Sequence, residues 1–95
     1  MRRSDIESLD VHRTWWVLAV AAPERDWCAA PGCHRGARYL VDTEGLRARC
    51  DEFGTFADRL SCLNWLLAHR GELNRALPGG VVRPVRLDRW LLGMD

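Results

Sequence analysis

Ninety-five residues, 47% hydrophobic and 28% charged, describe one globular domain with a modest core and exclude a disordered chain. The formal net charge is only +1, with Arg and Asp/Glu interleaved as in Asp58-Arg59 and Asp88-Arg89, so the basic excess of a dedicated nucleic-acid binder is missing. All 14 basic residues are arginine, which a GC-rich genome explains as readily as selection for guanidinium contacts.

In chain order, Ser4-Asp5-Ile6-Glu7 has the form of a capping box and predicts a short helix that stops near Val11. Residues 14–20 are apolar, β-branched and aromatic, and read as a core strand. The run Trp15–Ala22 is too short to cross a bilayer. Asp5, Glu7 and Asp10 ahead of it do not suit a leader peptide. The chain is therefore expected in the cytoplasm, where reduced cysteines favour metal binding over disulfides. Ala37 to Cys50 reads as a β-hairpin closed by Asp42-Thr43-Glu44-Gly45, a type I turn with Gly45 at the left-handed position.

Thr55 is expected to cap the main helix, with Phe56, Leu60, Leu63 and Leu67 as its buried stripe. Gly71 ends or kinks it, and Glu72–Leu77 adds a further turn or two. Leu77-Pro78-Gly79-Gly80 is a break. Val81–Leu87 alternates as an edge strand, because Pro84 argues against a central position. Asp88 then caps a last helical segment, Arg89–Met94. The fold class that follows is α+β: a small antiparallel sheet of residues 14–20, 37–42, 46–50 and 81–87, with a zinc-knuckle hairpin and one main helix packed across it. One domain spans 1–95, with segments 27–54, 55–77 and 81–95.

Cys28 and Cys33 flank a Pro31-Gly32 turn that can aim both sulfurs inward, and Cys50 follows the hairpin just before the main helix. Together with Arg35, Ala37, Arg38, Asp51 and Glu52, these residues resemble the short treble-clef-type zinc-finger segments of actinobacterial and phage proteins, which end in Cys-x-x-His. The resemblance covers residues 27–54 and implies zinc held by Cys28, Cys33 and Cys50. It departs from the pattern at Phe53, which stands where histidine is expected. A closed structural site wants four ligands. His34 is the nearest candidate for the fourth, with His12 and Cys62 as alternatives. The other reading is that zinc is lost and Phe53 fills its place with apolar packing.

Five tryptophans is a high number for this length. Trp15 and Trp16 are neighbours on a strand and point to opposite faces. Trp65 lies about half a turn from the Phe56/Leu60/Leu63/Leu67 stripe. A domain this small has few elements with which to cover both faces of a sheet, so Trp15, Trp16 and Trp65 are candidate contacts for a protein partner or a second copy of the chain. Asn64 and His69 on the helix, and Cys62 without a base placed beside it, do not form a catalytic constellation. The expectation is a non-enzymatic protein-interaction module of the zinc-finger-like kind, an accessory factor in an actinobacterium or phage. The alternative is a nucleic-acid-binding zinc finger using Arg35, Arg38, Arg47 and Arg49.

Overall fold

A computed structural model of the chain describes residues 1–2, 5–6, 9, 13–21, 39–49 and 51–93. Seven elements follow in order: β1 (Trp16–Ala21), β2 (Tyr39–Asp42), β3 (Arg47–Arg49), α1 (Arg59–Ala68), α2 (Arg70–Ala76), β4 (Val81–Arg86) and α3 (Leu87–Leu91). The strands form one antiparallel sheet in the order β3-β2-β1-β4. The α+β class and the four expected strands are thus observed.

β1 is central because it is apolar on both faces. Leu18 and Val20 enter one cluster with Tyr39, Val41 and Ala48, covered by Cys62, Leu73 and Leu77 from the helices. Val17 and Ala19 enter a second cluster with Leu40 and Val85, covered by Phe53, Leu87 and Trp90, with Ile6, Leu9 and Trp15 packed against it. Each fully buried Val or Leu is worth about 1.5–3 kcal/mol. Both faces of the sheet are therefore covered, and the apolar surface that so small a domain leaves exposed lies on a helix instead, at Leu60 and Leu67. The short α3, the Phe53 segment and the N-terminal residues do the work of a second helical layer.

β4 lies at the sheet edge, as Pro84 requires. Leu87 N donates to Trp15 O (2.9 Å), and the Trp16↔Arg86 to Ala21↔Val81 register makes 81, 83, 85 and 87 the hydrogen-bonded positions. Pro84, opposite Leu18, falls on an alternate position whose missing N–H would have faced the open edge.

β2 does not follow β1 along its whole length. The residues after β3 wedge between them: Gly54 N donates to Val41 O (3.1 Å), and Phe56 exchanges both backbone hydrogen bonds with Trp16 (2.8 and 2.9 Å). The wedge needs glycine for space rather than for backbone freedom, since a Cβ on Gly54 would lie 2.2 Å from Thr43 Oγ1 and 2.4 Å from Thr43 Cγ2. With Phe56 extended, the helix cannot start at Thr55. Its cap is Asp58, in extended conformation, whose Oδ1 accepts from Ser61 N at 2.7 Å. The same hydrogen bond holds the Asp58 carboxyl below the usual carboxylate range.

Three other local expectations are corrected. In the hairpin the left-handed residue is Leu46 (φ 49°), not Gly45. The Asp42 carboxylate bends the loop instead, accepting from Glu44 N (3.2 Å) and Gly45 N (3.4 Å) while it pairs with Arg47 Nε at 2.9 Å. Asp88 is not a cap: α3 begins one residue before it, and its carboxylate accepts from Arg86 (2.7 and 3.1 Å) and from Arg89 N (2.9 Å). In the N-terminal segment, Asp5 N donates to Arg2 O and Leu9 N to Ile6 O, which are i to i−3 turns and not α-helical bonds. Ser4 and Glu7 of the expected capping box lie outside the described residues.

Candidate interaction surface

α1 carries two apolar stripes about half a turn apart. Cys62, Trp65 and Leu66, continued by Leu73 of α2, face the sheet. Leu60, Leu63 and Leu67 fall on the other side by helical period. Leu60 is 66% exposed and Leu67 63% exposed, with Leu63 half-buried. The stripe read from sequence as core is therefore the outer one. Trp65, read as the outlier, belongs to the inner one. Its ring meets Phe56 at 6.1 Å in a tilted arrangement and stacks on His69 at 4.2 Å and 18°. His69 Nδ1 donates to Trp65 O at 2.8 Å, which orients the imidazole against the indole.

Cys62 at the centre of the inner stripe is fully buried, and its thiol donates to Val17 O at 3.6 Å. Burial pushes its pKa up to about 12, so it carries no free thiolate near neutrality and is not suited to nucleophilic attack.

The outer stripe is rimmed by arginine. Arg59 and Arg70 lie along one flank by helical period, whereas Arg75 of α2 falls well round the helix from them. All three are exposed, and among the described residues no carboxylate pairs with any of them. Beside this flank, a pocket of about 200 Å³ opens between the helices and the start of β4, lined by Leu66, Arg70, Leu73, Asn74, Val81 and Val82. Val81 there is 63% exposed. Leu67, Arg70 and Asn74 join stripe and pocket into one surface, apolar along its middle and basic along its edge.

The residues singled out from sequence distribute as follows. Trp15 and Trp16 do face opposite sides of the sheet, Trp16 packing on the first cluster and Trp15 on the second. All three candidate tryptophans, Trp65 included, are half-buried, and the Arg13 guanidinium covers Trp15 at 5.9 Å. Arg47 and Arg49 share one face of β3, but both are engaged internally. Arg47 pairs with Asp42 and Glu52 at 2.9 Å each, and Arg49 grips Asp51 with two 2.8 Å hydrogen bonds. Burial alone would raise the Asp42 carboxyl; Arg47 and the Gly45 and Glu44 N–H groups outweigh it and hold the carboxyl below its ordinary value. The Arg49 hydrogen bond does the same to Asp51. Arg35 and Arg38 lie outside the described residues, as do Cys28, Cys33, His34, Cys50 and His12. Among the described residues, no three His, Cys, Asp or Glu converge to hold a metal ion. Phe53, at the position of the expected ligand histidine, is 1% exposed and packs into the second cluster, so that position offers no ligand.

The surface that sequence reasoning missed had a signal in plain view. Two leucine-bearing stripes on one short helix cannot both face a single sheet, so one of them had to point outward. Comparisons with protein-family models, with curated proteins and with solved structures found no match. Among the described residues no helix is long and apolar enough to cross a membrane.

Proposed function

We propose that this chain is a cytoplasmic, non-enzymatic protein-interaction module and that the outer face of α1 is its working surface. One observation carries this reading: Leu60 and Leu67 stand exposed on the same helix face, although both faces of the sheet are already covered. Exposing two leucines side by side forgoes burial worth about 1.5–3 kcal/mol each, which a partner recovers. The two stripes divide the labour of the helix. The inner one anchors it through Cys62, Trp65 and Leu66, which leaves the outer one rigid and preorganised for contact.

The nucleic-acid reading draws less support. Its two described arginines, Arg47 and Arg49, spend their guanidinium groups on Asp42, Glu52 and Asp51. Zinc remains a proposal that rests on Cys28, Cys33 and Cys50, with His34 the candidate for the fourth ligand, since Phe53 offers none.

The test places a photo-crosslinking amino acid at the exposed Asn64 between Leu60 and Leu67, and a control at the exposed Arg83 on β4. The expected result is a discrete adduct from position 64 only, which is lost when Leu60→Ser and Leu67→Ser are added and the melting temperature is unchanged. No discrete adduct, or one that survives both serine substitutions, removes α1 as the working surface.

A further inference from the structure

We infer that the outer face of α1, with the pocket beside it, takes an acidic amphipathic helix of a partner protein. This rests on the interaction reading above and adds the charge and shape of the occupant. α1 is ten residues long, about 15 Å, and displays Leu60, Leu63 and Leu67 at the spacing that receives anchors from a facing helix. Arg59 and Arg70 flank that stripe without a carboxylate partner among the described residues. Elsewhere the chain pairs its arginines closely, as at Arg47, Arg49 and Arg86. Arg59 and Arg70, like Arg83 and Arg89, have no such partner among the described residues, but of these only Arg59 and Arg70 lie beside Leu60, Leu63 and Leu67 on the helix. Carboxylates along the edge of an apolar partner helix complete that pattern. The pocket of about 200 Å³, with Leu66, Leu73 and Val82 inside and Arg70 and Asn74 at its mouth, has the size and lining for one apolar side chain whose neighbouring carboxylate reaches Arg70.

The competing occupants fit less well. In an antiparallel two-fold pairing of this face with a second copy, each flank meets its own copy, so Arg59 and Arg70 of both chains would crowd together. An extended segment would have to pair with the open edge of β4, where Pro84 presents no N–H at an outward position. Nucleic acid would neutralise the arginines but leave Leu60 and Leu67 with nothing apolar to cover them.

Two synthetic peptides of about 18 residues test this, each with a leucine face, one flanked by glutamates and the other by lysines. Each is titrated into the ¹⁵N-labelled full chain at low and physiological salt, with light scattering of the free chain and a DNA duplex as further arms. The expected result is a monomer that binds the glutamate peptide at least roughly tenfold more tightly than the lysine peptide, a difference that salt reduces. Shifts should map to Leu60–Asn74 and Val81–Val82. The Arg59→Glu/Arg70→Glu variant, changed only at exposed positions, should reverse the preference with its melting temperature intact. Equal affinity for both peptides at α1 overturns the acidic occupant and leaves the interaction reading standing. Binding to neither peptide, a dimer dissociated by Leu67→Asp, or DNA binding lost in the Arg59→Glu/Arg70→Glu variant also overturns it. The interaction reading itself falls only on the crosslinking result: an absent Asn64 adduct, or one that survives Leu60→Ser and Leu67→Ser.

Discussion

Gly54→Ala tests the wedge that sets where α1 begins. The added Cβ would lie 2.2 Å from Thr43 Oγ1, 2.4 Å from Thr43 Cγ2 and 2.9 Å from Thr43 Cβ. Rotation about the threonine χ1 can move the first two atoms but not the third, so backbone must shift as well. That shift would strain the Gly54 N to Val41 O hydrogen bond and, through it, the Trp16–Phe56 pairing. Overpacking of this kind costs about 1–3 kcal/mol, and backbone involvement puts the expected loss at about 2–3 kcal/mol. With a urea slope of about 1 kcal/mol/M for a small domain, the unfolding midpoint should fall by roughly 2 M. Thr43→Gly removes all three clashing atoms. In the Gly54→Ala background it should restore most of the loss, giving a coupling energy of about 1–2 kcal/mol in a double-mutant cycle followed by tryptophan fluorescence. A Gly54→Ala midpoint within about 0.5 M of the parent, or additive behaviour of the two substitutions, would show that the loop relaxes freely and that the wedge does not fix the start of the helix.

Three further outcomes are expected. Cys62, buried and with its pKa near 12, should resist iodoacetamide at pH 8 in the folded chain and react on unfolding, as read by site-resolved mass spectrometry; modification of the native protein at that site refutes its placement. Asp42→Asn should cost about 1 kcal/mol at pH 7, a figure kept low because Arg47 is half-exposed. Because the folded-state pKa of Asp42 is depressed, its contribution is complete above about pH 4 and fades as pH falls through the lower folded value, so the thermal stabilities of the two proteins should converge in acid; a constant gap refutes the ion-pair account. If Cys28, Cys33 and Cys50 hold zinc, elemental analysis should find it bound stoichiometrically and Cys50→Ser should lose it together with several kcal/mol of stability, whereas a zinc-free protein that melts unchanged after chelation ends that proposal.

The sheet was legible because its signals are local: alternation in residues 81–87, a continuous apolar run in 14–20, and turn residues between 42 and 45. The start of the helix was not, because Thr55 and Asp58 are both good caps. What decides between them is the distant backbone of Trp16, which holds Phe56 extended. The facing of α1 was misread for a related reason. Periodicity finds stripes but does not say which one the sheet takes, and the three leucines outweighed Cys62, whose thiol is among the most readily buried side chains. The turn went astray because Gly45 drew attention from the Asp42 carboxylate, which bends the loop and leaves Leu46 in the left-handed region.

The central place of β1 has a consequence for synthesis. Its partner on one side, β4, follows roughly sixty to seventy residues later, from Ala21↔Val81 to Trp16↔Arg86. While a ribosome is still extending the chain through α2, the strand Trp16–Ala21 has an open edge and its apolar neighbours Val85, Leu87 and Trp90 do not yet exist. Such a nascent chain exposes a bare, hydrophobic template of the kind that chaperones bind. Release from that state waits for Val81–Arg86 to clear the exit tunnel and close the sheet.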